Sequence, residues 1–187
     1  MIEGLEENNI MKKEINPLDY ASEIMKAVEK GVLITTKVGN KVNSMTASWG
    51  TLGIEWGKPI FTIFIRENRF TKQQLEENPE FTVNIPLGEF NRKILGICGT
   101  KSGSTTDKVS ELNLSLEEPE SISVPGIKEL PLTLECRVIY KQKQDKNAIS
   151  QENLTFYPQD VDSSFHGANR DFHTAYYGEI ISSYIIQ

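Results

Sequence analysis

The stretch Asn43-Ser44-Met45-Thr46-Ala47-Ser48-Trp49 sets an amide, hydroxyls, a thioether and an indole within seven residues. In a strand, successive side chains point to opposite faces. Thr46 and Ser48 then share one face, and Met45, Ala47 and Trp49 the other. A strand end with hydroxyls and exposed backbone N–H groups suits a phosphate or the edge of a heterocycle. The apolar surface beside it suits a flat ring. The same pattern also suits an amphipathic strand leaving a hairpin.

Arg66 and Arg69 flank the end of an apolar run, and Thr71-Lys72-Gln73-Gln74 follows as a capping box that opens a short helix. A helix N-terminus offers unpaired N–H groups and a partial positive charge, so a cation and a hydroxyl there make a phosphate site. The alternative is a solvated turn with a capping threonine. The polar loop Gly99 to Thr105 does not match a P-loop, which needs Gly-Lys-Ser/Thr after four intervening residues. Lys101 and Lys108 still lie within reach of an anion, unless the segment is only a polar loop before a capped helix. His166 and His173 are the only histidines; with no cysteine nearby they do not form a metal pair. Cys98 and Cys136 are far apart and match neither a metal spacing nor a dithiol pair. No Ser-His-Asp or Cys-His arrangement is evident.

These groups need elements to position them. Asn16-Pro17 starts a helix whose apolar stripe is Tyr20, Ile24, Ala27 and Val28, with Gly31 just past its end. Strands are expected over about 32–38, 43–52, 60–65, 81–85, 132–140 and 173–186. Gly53 and Gly57 are expected to bracket a loop. Short helices are expected after Thr71, over 89–97, and from Thr106 or Asp107 to Leu112. Residues 141–159 show no clear element beyond part of a strand near 154–156. Strands with interspersed short helices and no regular β-α-β alternation point to a closed antiparallel barrel rather than a doubly wound sheet.

With 187 residues, 38% hydrophobic and 25% charged, the chain suits one domain with a substantial core. Residues 1–15 are expected to form a polar lead-in and 16–187 the domain. The net charge of −6 gives no basic footprint for nucleic acid. The N-terminus lacks the apolar region of a signal peptide, no apolar run reaches membrane-spanning length, and cysteine is scarce. A cytoplasmic protein without membrane or nucleic-acid partners is expected.

The Asn-x-Met-Thr-x-Ser-Trp run after Gly31-Val32-Leu33-Ile34-Thr35-Thr36 resembles the flavin reductase-like, FMN-binding split-barrel family, and its flavoredoxin-type branch most. The resemblance recurs in order through Arg66 to Thr71, Phe81 to Pro86, Cys98 to Lys108, Leu134 to Val138 and His173 to Ile180, covering roughly residues 20–186. It implies a mainly β fold, a six-stranded antiparallel Greek-key split barrel with flanking short helices. It implies FMN as cofactor and a homodimer with the flavin near the shared interface. Asn43, Met45, Thr46, Ala47, Ser48 and Trp49 would hold the ring and ribityl chain, and Arg66, Arg69, Thr71 and Lys108 the phosphate end. Ser102, Asp107 and Lys108 match a segment that folds over the cofactor in the flavoredoxin-type branch, though Ser104-Thr105-Thr106 departs from it. His173 matches a histidine near the flavin or nicotinamide. The flavin carries the chemistry in such proteins, so no catalytic acid or base is expected. Three functions are open: an NAD(P)H-dependent flavin reductase, an FMN electron carrier with little nicotinamide activity and a protein electron donor, or a flavin-binding module without turnover.

Overall fold

The computed structural model describes residues 11–161 and 170–187. In chain order, the elements before residue 86 are β1 (Lys12–Glu14), α1 (Ala21–Lys30), β2 (Val32–Val38), β3 (Lys41–Ala47), β4 (Gly50–Glu55), β5 (Lys58–Arg66), α2 (Phe70–Glu77) and β6 (Glu80–Ile85). There follow α3 (Lys93–Thr100), α4 (Lys108–Leu112), the short strands β7 (Leu116–Glu117) and β8 (Gly126–Ile127), β9 (Leu132–Lys143) and β10 (His173–Ile186). One antiparallel sheet runs β3-β2-β6-β9-β10-β5-β4, with β1 added on β10; β7 and β8 pair separately.

The architecture is the expected mainly β, antiparallel one with short helices. Its sheet holds eight strands rather than six. One extra strand is β1, inside the expected polar lead-in, where Lys12–Glu14 pair with the far end of β10. The other comes from the expected 43–52 strand, which is broken at Ser48-Trp49. Its first half pairs with β2 and its second half with β5. Gly53 lies inside β4, so the expected loop reduces to the turn Trp56-Gly57, both at positive φ. That is the backbone a two-residue hairpin requires.

Alternation on β5, β6 and β9 sends Phe61, Ile63, Ile65, Phe81, Val83, Leu132 and Leu134 into one core with Ile34 of β2 and Met45 of β3. Helix α1 covers it with Ile24 and Val28, as its stripe requires, although the helix starts at Ala21 after tight turns from Asn16. The opposite face of β2, β6 and β9 is polar. The Thr35 hydroxyl bonds those of Ser44 and the Asn84 amide oxygen, Asn84 Nδ2 donates to Thr133, and all are buried. Glu135, fully buried on this face, accepts from the Glu120 and Ser121 N–H groups and from the Tyr184 hydroxyl. Those bonds fasten the 115–130 segment over the face and satisfy a carboxylate that would otherwise be costly to bury. α3 sits on the same side, where Ile94 and Cys98 pack with Leu33, Ile127 and Leu130.

α2 joins the two ends of the sheet. It leaves β5, yet Gln74 accepts from Thr36 and donates to the Lys41 carbonyl, and Thr71 accepts from Asn43. The β2–β3 hairpin, at the start of β3, is thereby held against the segment that leaves β5. In β10 a register shift falls between Tyr177 and Gly178, and Gly178 lies so close to the Phe81 ring that a Cβ there would be 2.5 Å from Phe81 Cζ. The expected helix at 89–97 forms later, at 93–100, and the expected strand near 154–156 is a short 3-10 helix over Asn153–Phe156. Among the described residues no helix is long and apolar enough to cross a membrane.

Candidate functional site

Where β3 stops, the chain turns outward through Ser48 and Trp49 before β4 begins. A cleft of about 270 Å³ opens there, lined by Met45, Thr46, Ala47, Ser48, Trp49, Phe64, Arg66, Arg69, Gly99 and His173. Arg66 and His173 are direct register partners on β5 and β10, so the ladder itself sets the guanidinium-bearing and imidazole-bearing residues side by side. Eight of the twelve expected site residues line this cleft. The Thr46 hydroxyl donates to the Leu95 carbonyl of α3 at 2.6 Å, which fixes its side chain.

The cations are partly or wholly withdrawn from water. Arg69 Nη1 donates to the Gly99 carbonyl at 3.1 Å, and Lys108, 3% exposed, donates to the Lys101 carbonyl at 3.3 Å. Neither is ion-paired with a carboxylate among the described residues. Burial pushes the Lys108 ammonium down to about 8, and the nearby Arg69 charge pushes in the same direction. Arg69 is itself lowered, by burial and then by Arg66. The Asp171 carboxylate offsets part of this at Arg69. A cation withdrawn from water without an ion pair is expensive, and an arriving anion relieves that cost. Beside them burial holds the Cys98 thiol up near 11, which leaves it protonated and unreactive at neutral pH.

The other wall is aromatic. Trp49 lies 5.0 Å from the His173 ring, tilted by 37°, and meets Phe156 and Tyr157 edge-on. Tyr157 stacks on Phe172 at 4.8 Å. His173 is 5% exposed, and its buried Nδ1 has no partner among the described residues. Burial, reinforced by Arg66, lowers its pKa to about 4, so the imidazole is neutral at pH 7. A neutral imidazole with an unused ring nitrogen is suited to exchanging a hydrogen bond with a ligand.

Asn43, Thr71, Ser102 and Lys108 lie outside the lining. Asn43 Nδ2 donates to the Thr71 hydroxyl at 3.0 Å, while Asn43 Oδ1, buried against Gly103, has no partner among the described residues. Thr71 is therefore not the expected N-cap. Arg69 holds that position with an extended backbone, and no side chain caps α2. The expected Asp107 cap of α4 does form, with the carboxylate accepting from Ser110 N–H. Ser102 is exposed and bonds Ser104. His166 lies outside the described residues. Sequence reading missed Phe64, Gly99 and the aromatics Phe156, Tyr157 and Phe172. Phe64 sat unremarked in a strand run, and the other three aromatics fall in or beside the stretch with no periodicity to mark their faces. Among the described residues no cluster of three or more His, Cys, Asp or Glu could hold a metal ion.

A family model described as "Flavin reductase like domain" matches residues 25–185. An uncharacterised protein of Archaeoglobus fulgidus is 34% identical over 99 residues, covering 53% of this chain and 55% of that protein. The matched segment thus spans little more than half the length of that curated relative. Among solved structures, flavoredoxin of Desulfovibrio vulgaris (Miyazaki F) superposes with a TM-score of 0.61 at 19% identity, over 99% of this chain and 76% of its own. Component B of nitrilotriacetate monooxygenase from Bacillus cereus does so with a TM-score of 0.63 at 14% identity, over 99% and 82%.

Proposed function

The chain belongs to the flavin reductase-like domain family, and from that premise we propose that it is an FMN-binding oxidoreductase whose flavin lies in the cleft at the end of β3. The carrying observation is the pair Arg69, half-buried, and Lys108, buried: cations bonded, among the described residues, to backbone carbonyls, beside a cleft whose opposite wall is aromatic. An anion at one end and a flat ring at the other is what that polarity accommodates. Arg69 would take the phosphate, Lys108 would add charge from behind Gly99, and Arg66 would complete the positive end. Asn43 and Thr71, tied to each other, would hold the β3 strand against the α2 start, and Ser102 would belong to the loop closing over that end.

At the ring end, Met45, Ala47 and Trp49 would supply apolar surface. Thr46, anchored to α3, and Ser48 would border the polar edge. His173 would exchange a hydrogen bond through its unused nitrogen without adding a charge. Bound FMN supplies hydride and single-electron transfer; the chain orients it, excludes water and sets the local field. The reading includes NAD(P)H as electron donor, a homodimer and a cytoplasmic location, all resting on family resemblance and composition. A second reading, an FMN electron carrier with little nicotinamide activity, draws on the structural likeness to flavoredoxin.

Titration of apo-protein with FMN and with riboflavin, followed by flavin fluorescence, tests the site. FMN is expected to bind at least tenfold more tightly, since one charge-assisted bond contributes about 1.5–3 kcal/mol. Equal affinities would remove the phosphate site. Adding NADH or NADPH to the holo-protein then separates the two readings: rapid bleaching of the flavin supports the reductase, and its absence the carrier.

A further inference from the structure

A second depression, of about 430 Å³, adjoins the first and shares Ser48, Trp49 and Phe64 with it. Its remaining lining is Met25, Val28 and Glu29 of α1, Gly50 of β4, and Gln144 just beyond β9. It contains no lysine or arginine, and its one charged group is a carboxylate. A diphosphate would meet no counter-charge there. The walls instead offer a thioether, a valine, an indole and a phenyl ring.

One polar group is already oriented. Gln144 Oε1 accepts from the His173 backbone N–H at 2.9 Å and lies 3.0 Å from the Tyr157 hydroxyl. A backbone N–H can only donate, so the atom facing it is the amide oxygen and the amide cannot be reversed. The Gln144 NH₂ group makes no hydrogen bond among the described residues, and the side chain borders the depression. Beside Glu29 and Ser48 the lining is apolar, and a fixed donor in such a pocket recognises an acceptor oxygen on a mostly apolar ligand.

We propose that this depression binds a neutral, flat molecule bearing a ring carbonyl, with the ring against Trp49 and Phe64 and the oxygen on the Gln144 amide N–H. It would be the site's second reactant, and only that assignment rests on the flavin reading; the binding itself does not.

The probes are 1-indanone, indane as the same skeleton without oxygen, and ADP-ribose as a diphosphate. Quenching of Trp49 fluorescence in Trp56→Phe protein reads their binding, and FMN affinity is measured separately by flavin fluorescence. Indanone is expected to bind about fivefold more tightly than indane, the worth of one ordinary hydrogen bond. Gln144→Met should abolish that difference. Met25→Asp, at a partly exposed position on α1, should weaken both ring probes about tenfold and leave FMN affinity unchanged. ADP-ribose should displace neither. Equal binding of indane and indanone, or displacement by ADP-ribose, overturns the proposal. So does self-association that excludes the probes and is relieved by Met25→Asp, which would make a second copy the occupant. Probe binding retained without FMN affinity refutes the flavin reading alone; FMN affinity without probe binding refutes this inference alone.

Discussion

Replacing Lys108 by methionine should stabilise the apo-protein and weaken FMN. The side chain is 3% exposed, and among the described residues its ammonium is bonded only to the Lys101 carbonyl. Its pKa falls from the 10.5 of a free lysine to about 8, burial being the main cause. A difference of that size corresponds to about 3 kcal/mol of strain on the charged form at neutral pH. Methionine keeps the apolar stem and removes the charge. Allowing for the lost bond to Lys101, the net gain is about 1–2 kcal/mol, a rise in melting temperature of several degrees for a chain this long. FMN affinity should drop by about 1–2 kcal/mol through the lost charge while riboflavin affinity holds. The pH dependence has a definite sign. Between about pH 8 and 10.5 the unfolded lysine keeps a proton that the folded one has released, so wild-type apo stability gains from this group as pH rises. The variant should lack that gain, and the wild-type preference for FMN over riboflavin should shrink above about pH 8. Thermal melts across pH and paired flavin titrations are the assays. A variant that is less stable and equally selective for FMN would refute the reasoning and make Lys108 a brace for the 101–107 loop.

Thr71→Ala removes the one partner that the Asn43 amide has among the described residues, so denaturant melts should show a loss of about 1–3 kcal/mol; no loss would mean that Asn43 finds another partner. The neutral, buried His173 lowers apo stability as pH falls. From about 6.5 down to about 4 the unfolded histidine takes up a proton that the folded one refuses, a cost of up to about 3 kcal/mol; His173→Phe should flatten that part of the profile, and an unchanged slope would assign it to other groups. Gly178→Ala would set a methyl 2.5 Å from Phe81 Cζ and 2.9 Å from Cys136 Cβ, so stability should fall by about 1–3 kcal/mol or more; a neutral result would show that the Phe81 ring can swing away.

Much of this was legible in local pattern. The strand at 32–38 and the one at 173–186 end where apolar runs and turn residues say they should, and Met45 to Trp49 of the motif line the cleft with Arg66 and Arg69. The errors share one physical origin: a partner far away in sequence. Nothing local distinguishes Thr46 from Thr51, so the break at Ser48-Trp49 follows from a change of neighbour, from β2 to β5. Thr71 has the sequence of a cap, but Asn43, 28 residues earlier, engages its hydroxyl. The Lys12–Glu14 strand depends on Tyr184 to Ile186 across the whole chain. Lys108 carries no local sign of burial, and the groups whose charges act on it, Arg69 before α2 and Cys98 of α3, are distant in sequence.

Strand β10 follows every other strand of its sheet in sequence, yet it lies between β9 and β5. Until it is in place, the pairing falls into two unconnected ladders, β3-β2-β6-β9 and β5-β4. Arg66 and Trp49 then stand apart from the His173 wall, and the edge of β5 has no neighbour on that side. Long-range pairing of this kind slows folding and leaves strand edges open while synthesis proceeds. A ribosome-bound chain lacking β10 would therefore offer no cleft to a flavin, and competence to bind would arrive in a single step, when the last strand is threaded between its neighbours.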